Sequence, residues 1–124
     1  EAAEKLGVPV ARVFKTLVVS LDNKELAVGV IPVSSMLSMK LMAKAAGAKK
    51  ATMAAQSEVE RSTGYVLGGV SPLGQKKRLR TIIDSSARSH PTVYVSAGRR
   101  GLEIELSPDD LESLVNGVLA EICQ

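Results

Sequence analysis

Arg12 to Ile31 reads RVFKTLVVSLDNKELAVGVI. Its first nine residues, Arg12 to Ser20, are apolar and β-branched, the pattern of a strand buried on both faces. Asp22-Asn23 is a turn signal, and Glu25 to Ile31 is a second apolar run. A parallel crossover takes a dozen or more residues, so a connection this short makes the two strands a hairpin. Antiparallel pairing early in the chain points to a mixed α/β (α+β) fold rather than a doubly wound one.

The flanking sequence fits. Upstream, Glu1 to Leu6 reads as the end of a helix stopped by Gly7, with Pro9 beyond. Downstream, Ser38 is a helix N-cap, Met39 to Ala46 the helix, and Gly47 its C′ residue. Met39, Met42, Ala43 and Ala46 fall on one face of it and read as core filling. Lys50 to Met53 is a short strand, Gln56 to Thr63 a short helix closed by Gly64, and Tyr65 to Leu67 a strand. Thr81 to Asp84 and Thr92 to Ala97 are further strands. Gly98 to Gly101 is a turn, and Leu102 to Leu106 alternates as a half-exposed strand does. Ser107 caps a last helix, with Pro108 at its first position and Asp109-Asp110 in its first turn, predicted to run to about Ile122. No repeat or linker interrupts the chain. The expectation is one domain over residues 1–124, with a curved, mostly antiparallel sheet flanked by short helices.

Composition narrows the function. Of 124 residues, 45% are hydrophobic and 23% charged, enough for a folded core. One Phe, two Tyr and no Trp make the core aliphatic and argue against base stacking on an aromatic platform. A net charge of +3 is mild for a nucleic-acid binder, so clustering of the cations matters more than their number. The single Cys excludes an internal disulfide and fits a reducing cytoplasm. No apolar run approaches the roughly 20 residues of a membrane span, and no signal peptide is visible. The chain begins at Glu1 rather than Met, so further residues upstream are expected.

One stretch is denser in special residues than a plain turn needs: Gly68-Gly69-Val70-Ser71-Pro72-Leu73-Gly74-Gln75, followed by Lys76-Lys77-Arg78 and, after Leu79, Arg80. Glycine admits positive φ and close approach of a ligand, while Pro72 stiffens the loop and restrains Ser71. The adjoining cations attract anions such as phosphate. A tight connection ending in solvated lysines is the alternative. The glycine spacing resembles a P-loop, but Gln75 stands where that motif carries Lys.

Few residues offer catalysis. His90 is the only histidine, in the loop-like Ser89-His90-Pro91, and nothing pairs it with a serine and an acid as a triad requires. One His and one Cys cannot build a usual zinc site, so no metal is expected. Cys123 reads as a packed or frayed thiol at a helix end. Lys15 is the lone charge within Val13 to Val19, where burial of charge is costly. It is either an outward-facing lysine or a buried one with a partner or ligand. Ser96 closes a strand just before Gly98, a position that often carries site residues. Arg99-Arg100 is either a phosphate contact or a solvated turn.

Three blocks carry a resemblance: Val13-Phe14-Lys15-Thr16-Leu17; Gly64-Tyr65 with Gly68 to Gly74; and Tyr94 to Ile104, YVSAGRRGLEI. In this order they resemble the YbaK/EbsC family of bacterial aminoacyl-tRNA deacylases, which includes Cys-tRNA(Pro) deacylases and prolyl-tRNA synthetase editing domains. The likeness runs from about Lys5 to Leu114 and is nearest to the free-standing YbaK type, because GGxSPLGQKKRL is almost complete. Family members usually carry about thirty more residues upstream, which hold further pocket residues.

The resemblance implies a YbaK-like fold and a cytoplasmic, cofactor-free enzyme that releases a mischarged amino acid from tRNA. Cys on tRNA(Pro) is the first-choice substrate. By the family pattern Lys15, Gly68 and Ser96 are catalytic and Thr16, Gly69 and Pro72 border the substrate. The substrate's own thiol is implied as the attacking group, so the protein need only position the ester and stabilise charge. Lys76, Lys77, Arg78 and Arg80 are the expected tRNA contacts, weak and electrostatic. Prolyl-tRNA synthetase is the implied partner. The alternatives are a non-catalytic tRNA- or nucleotide-binding module and a protein-interaction domain, the latter leaving the three blocks unexplained.

Overall fold

The computed structural model describes Ala3 and residues 6–124. Most of the helix expected over Glu1 to Leu6 therefore lies outside the described residues. A 3-10 turn at Val10–Arg12 leads into β1 (Phe14–Leu21) and β2 (Glu25–Pro32). Then follow α1 (Met39–Ala46), β3 (Ala51–Met53), α2 (Gln56–Thr63), β4 (Arg80–Asp84), a 3-10 turn (Ser85–Ser89), β5 (Val93–Ser96), β6 (Glu103–Leu106), α3 (Pro108–Val115) and β7 (Val118–Ala120).

The hairpin forms as read. β1 and β2 pair antiparallel over eight positions, Phe14 with Pro32 through Leu21 with Glu25. Asp22 and Asn23 both take positive φ, 54° and 55°, as the central residues of a type I′ turn must, and Lys24 N closes that turn on the Leu21 carbonyl (2.9 Å) within a three-residue connection. The five-stranded sheet has the order β3-β1-β2-β4-β7, and β5-β6 form a separate antiparallel pair. β1 pairs antiparallel with β3, whereas β4 runs parallel to both β2 and β7. Three of the five pairings are antiparallel, so the fold is mixed α/β as expected.

Alternation along β1 sorts the core into two layers. Phe14 and Val18 point to one side of the sheet, where α2 (Val59), α3 (Leu111, Val115), β5 (Val93, Val95) and Val70 of the glycine loop cover them. Val19 and Leu21 point to the other, under α1 (Met42, Ala43) and Ile122. Phe14, Ile31, Met42, Ile82, Leu111 and Ile122 are each fully buried. At about 1.5–3 kcal/mol per buried large aliphatic side chain, these two layers hold the fold together.

The caps sit where their chemistry places them. Ser38 Oγ accepts from Leu41 N (3.1 Å) and Gly47 closes α1 in the left-handed region. Gly64 closes α2 in the same way, and Ser107 Oγ accepts from Asp110 N (3.1 Å) at the start of α3.

Two expectations fail. The last helix ends at Val115, not Ile122, because Asn116 turns left-handed (φ 51°). The freed chain then adds β7 beside β4, so Cys123 follows a strand rather than ending a helix. Tyr65 to Leu67 is a loop, not a strand. Tyr65 N donates to Thr63 Oγ1 (3.1 Å), and Gly69 N to the Val66 carbonyl (3.0 Å), so this backbone turns locally instead of pairing.

Candidate active site

β1 pairs with β2 along one edge and has a divided partner on the other. At its start Val13 forms a parallel bridge with Tyr94 of β5. From Val19 on it pairs with β3, and Ala54 N donates to the Val18 carbonyl (3.1 Å). Between these points, at Lys15 to Leu17, this edge has no strand partner among the described residues. Lys15 therefore stands where two flanking strands part.

The bridge also sets the register. Two residues beyond Val13 and Tyr94, Lys15 comes level with Ser96. Val93 and Val95 point into the α2-side core, so Ser96, out of phase with them, points to the side that Lys15 faces. Arg12 holds this arrangement. Its Nε donates to the Thr92 carbonyl (3.0 Å), its guanidinium contacts Glu105 (3.4 Å), and it lies 5.4 Å from the Tyr94 ring centroid.

Ser96 leads into the Gly98–Gly101 turn, on which the glycine loop rests. Ser96 Oγ accepts from Gly98 N (3.1 Å); among the described residues its own hydrogen has no protein acceptor. Gly98 has φ 105°, and a Cβ there would lie 2.7 Å from Tyr65 Cε1. A Cβ on Gly69 would lie 3.2 Å from Arg99 Cα, and one on Gly68 3.6 Å from the Arg100 guanidinium. Backbone thus meets backbone where any side chain would hold the two segments apart. The Tyr65 hydroxyl donates to the Leu73 carbonyl (2.5 Å), closing the glycine loop over its own ring. Gly69 N–H is already bonded within the loop. Gly68 N–H has no acceptor among the described residues, which leaves it available to a ligand.

The remaining expected residues divide. Thr16 points to the opposite side of β1 from Lys15, and its Oγ1 is buried with no partner among the described residues. Pro72 is buried and lines a separate hollow of about 210 Å³ with Gln75, Arg78, Leu79 and Leu114. Lys76 and Lys77 are exposed, their amides donating to the Thr63 and Ser62 carbonyls (2.9 Å each) at the end of α2. Arg80 lies apart from them, donating to the Ala46 carbonyl at the end of α1.

Sequence reasoning missed three contributors. Glu103 lies directly across from Ser96 in the β5–β6 register, and burial pushes its carboxyl above the usual carboxylate range. The apolar–acidic alternation of LEIEL was the available signal. Tyr65 was read as a strand residue, and nothing local marks it as a clamp. Asp84 is 5% exposed. Its oxygens accept from Ser86 Oγ (2.5 Å), Ser86 N (3.2 Å) and Ile122 N (3.0 Å). Burial opposes its ionisation, but these bonds together with one from Cys123 outweigh burial and hold it below the ordinary value. Cys123 is pushed up to about 11 by burial and by Asp84, with Ser35 and Lys15 pulling slightly the other way. Burial and Asp84 both disfavour the thiolate that nucleophilic attack requires. Among the described residues no group of three or more His, Cys, Asp or Glu could hold a metal, and no helix is long and apolar enough to cross a membrane.

The chain matches the aminoacyl-tRNA editing domain family over residues 1–114. It is 44% identical over 120 residues, covering 97% of this chain and 73% of the relative, to EbsC of Enterococcus faecalis, provisionally described as a Cys-tRNA(Pro)/Cys-tRNA(Cys) deacylase. It is 30% identical to YwhH of Bacillus subtilis, covering all of this chain and 79% of that protein. Among solved structures it superposes on the hypothetical protein APE2540 with a TM-score of 0.90 at 31% identity, covering 99% and 81% of the two chains. A structure provisionally described as a trans-editing enzyme for prolyl tRNA synthetase shares the fold, with a TM-score of 0.89 at 22% identity over 99% and 77%. A family match over nearly the whole length and a relative 44% identical over 97% of this chain agree: this chain belongs to the aminoacyl-tRNA editing domain family.

Proposed function

We propose that the protein is a trans-editing deacylase that removes Cys from Cys-tRNA(Pro), acting in the cytoplasm where charged tRNA is used. The observation that carries this reading is the unpartnered edge of β1 at Lys15 to Leu17, level with Ser96. A terminal ribose ester entering there meets Lys15 as a cation for the terminal phosphate or ribose. The Ser96 hydroxyl donates to the ester, and Gly68 N–H stabilises charge on the carbonyl oxygen. Gly69 borders the ester from the loop side, Thr16 offers only its backbone there because its side chain turns to the other face of β1, and Glu103 accepts from the α-ammonium. Pro72 stiffens the loop from behind.

Neither Ser96 nor Thr16 has a base as hydrogen-bond partner to activate it among the described residues, and in this reading the substrate supplies the nucleophile. Its thiol sulfur attacks the ester carbon and forms a C–S bond as the C–O bond to the ribose breaks. The thiol proton passes to the ribose oxygen, and a four-membered thiolactone leaves to hydrolyse in water. Holding sulfur and carbonyl in an attack-ready pose is the enzyme's main contribution. Lys76, Lys77, Arg78 and Arg80 contact phosphates, and prolyl-tRNA synthetase supplies tRNA selection.

A panel of mischarged tRNAs, followed for loss of the ester, tests the reading. Cys-tRNA(Pro) is expected to be released fastest. Binding without turnover of any member would replace the enzyme with a tRNA-binding module.

A further inference from the structure

A second concentration of cations lies outside this site. Lys40 and Lys44 stand one turn apart on α1, and Lys49 and Lys50 follow in the connection to β3. All four are exposed and line one groove of about 440 Å³, floored by Met39 and Ala43. Like charges at i,i+4 repel and weaken a helix, and nothing nearby relieves them. Among the described residues none of the four makes an ion pair. Asp22 is the adjacent carboxylate, but its oxygens are taken by Lys49 N (3.1 Å) and Lys50 N (2.8 Å). Glu121 flanks Lys44 only from a neighbouring hollow. Arg80, anchored on the Ala46 carbonyl, adds a fifth cation at the C-terminal end of α1.

The groove has a fixed relation to Lys15. α1 covers the side of the sheet that Lys15 faces, and Leu21, at the far end of β1, pairs with Ala51 next to Lys50. Six residues of strand separate Lys15 from Leu21, about 20 Å at roughly 3.3 Å each. A stacked nucleic-acid strand advances about 3.4 Å per nucleotide, so the groove stands some six nucleotides from the site. An RNA whose single-stranded 3′ end occupies the site has begun its duplex by then.

We propose that the Lys40, Lys44, Lys49 and Lys50 groove docks the phosphate backbone of the RNA stem that carries the aminoacyl end. This rests on the deacylase reading above. Ammonium groups bind phosphates as point charges, and the groove lining itself holds no aromatic ring or guanidinium, so the contact positions the stem without reading its sequence. The spacing from Lys15 favours RNA over an acidic protein segment, for which no such distance matters.

The test compares two substrates and one binding curve. Parent, Lys40→Gln/Lys44→Gln and Lys49→Gln/Lys50→Gln are assayed on mischarged tRNA and on the same aminoacyl ester of a CCA trinucleotide. Each pair is expected to lose about tenfold or more in kcat/KM on tRNA and nothing on the trinucleotide. Lys→Arg pairs retain tRNA activity. For an unacylated RNA hairpin ending in CCA, the slope of log affinity against log salt should shrink by about two for each Gln pair, close to one per phosphate contact removed. Unchanged tRNA turnover and salt slope overturn the proposal, as does equal loss on both substrates. Loss seen only with a synthetase present, at unchanged hairpin binding, assigns the groove to that protein instead. If the parent releases nothing from either substrate, the deacylase reading fails, while the hairpin slope still decides the groove.

Discussion

In the proposed reading Lys15 is the residue on which the chemistry turns. Its sequence signal was plain, a lone charge in an apolar strand, and the structure accounts for it by leaving that edge of β1 without a strand partner. Lys15→Ala is expected to lower single-turnover release of Cys from tRNA about 10²-fold, the usual cost of a lost electrostatic contact in the transition state. Its melting temperature should hardly move, because the residue is only half-buried and closes no core layer. An early melt would make Lys15 structural. Asp84 is the opposite case, invisible in sequence because its partners Ser86, Ile122 and Cys123 meet only in the fold. A carboxylate held below its unfolded value of 3.8 contributes stability above that pH and loses it as pH falls through its folded value. Asp84→Ala should destabilise the protein by about 2–3 kcal/mol at pH 7, by stranding two backbone donors. The gap between variant and parent should narrow below pH 4, and urea melts at pH 7 and pH 3 check this. An equal gap at both values would remove charge from the explanation.

At the scale of elements, local chemistry was legible and tertiary demand was not. Ser38, Gly47, Gly64 and Ser107 set helix ends through bonds to their own neighbours, so sequence sufficed. β7 exists only because β4 offers it an edge, and the loop at Tyr65 only because that ring fills the space under Gly98. The glycine loop itself was legible as a site element, but its bearing surface on the Gly98–Gly101 turn was not. That surface predicts an order of cost. Gly98→Ala places a Cβ 2.7 Å from the Tyr65 ring at φ 105°, whereas Gly101→Ala at φ 86° meets nothing within 4 Å. Both carry backbone strain of about 1–3 kcal/mol. Only Gly98→Ala should also displace Tyr65, so it should melt earlier and lose more activity than Gly101→Ala. Equal melts would mean that the ring yields freely and does not brace the loop.

At the scale of the molecule, the Val13–Tyr94 bridge sets the start of β1 beside β5, so that Lys15 and Ser96 come level, and the glycine loop packs on the turn that follows Ser96. The proposed site draws Lys15 from β1, Ser96 from the β5–β6 hairpin held by Arg12, and Gly68 from the loop packed on the turn after Ser96. The family resemblance names Lys15, Ser96 and Gly68 together, which residue spacing alone does not. It left unread the sides to which they point, with Thr16 opposite Lys15 and Pro72 in another hollow, because strand phase and loop packing are settled only in three dimensions. Among the described residues Ser96 has no base as hydrogen-bond partner to activate it, and in the proposed reading the substrate thiol attacks in its place. Single-turnover release from tRNA(Pro) charged with Cys or with Ser, which differ only in sulfur against oxygen, tests it most directly. The account predicts rapid release of Cys, with a transient thiolactone, and release of Ser near the rate in buffer. Equal release of both would contradict it and require a water or protein nucleophile in the site.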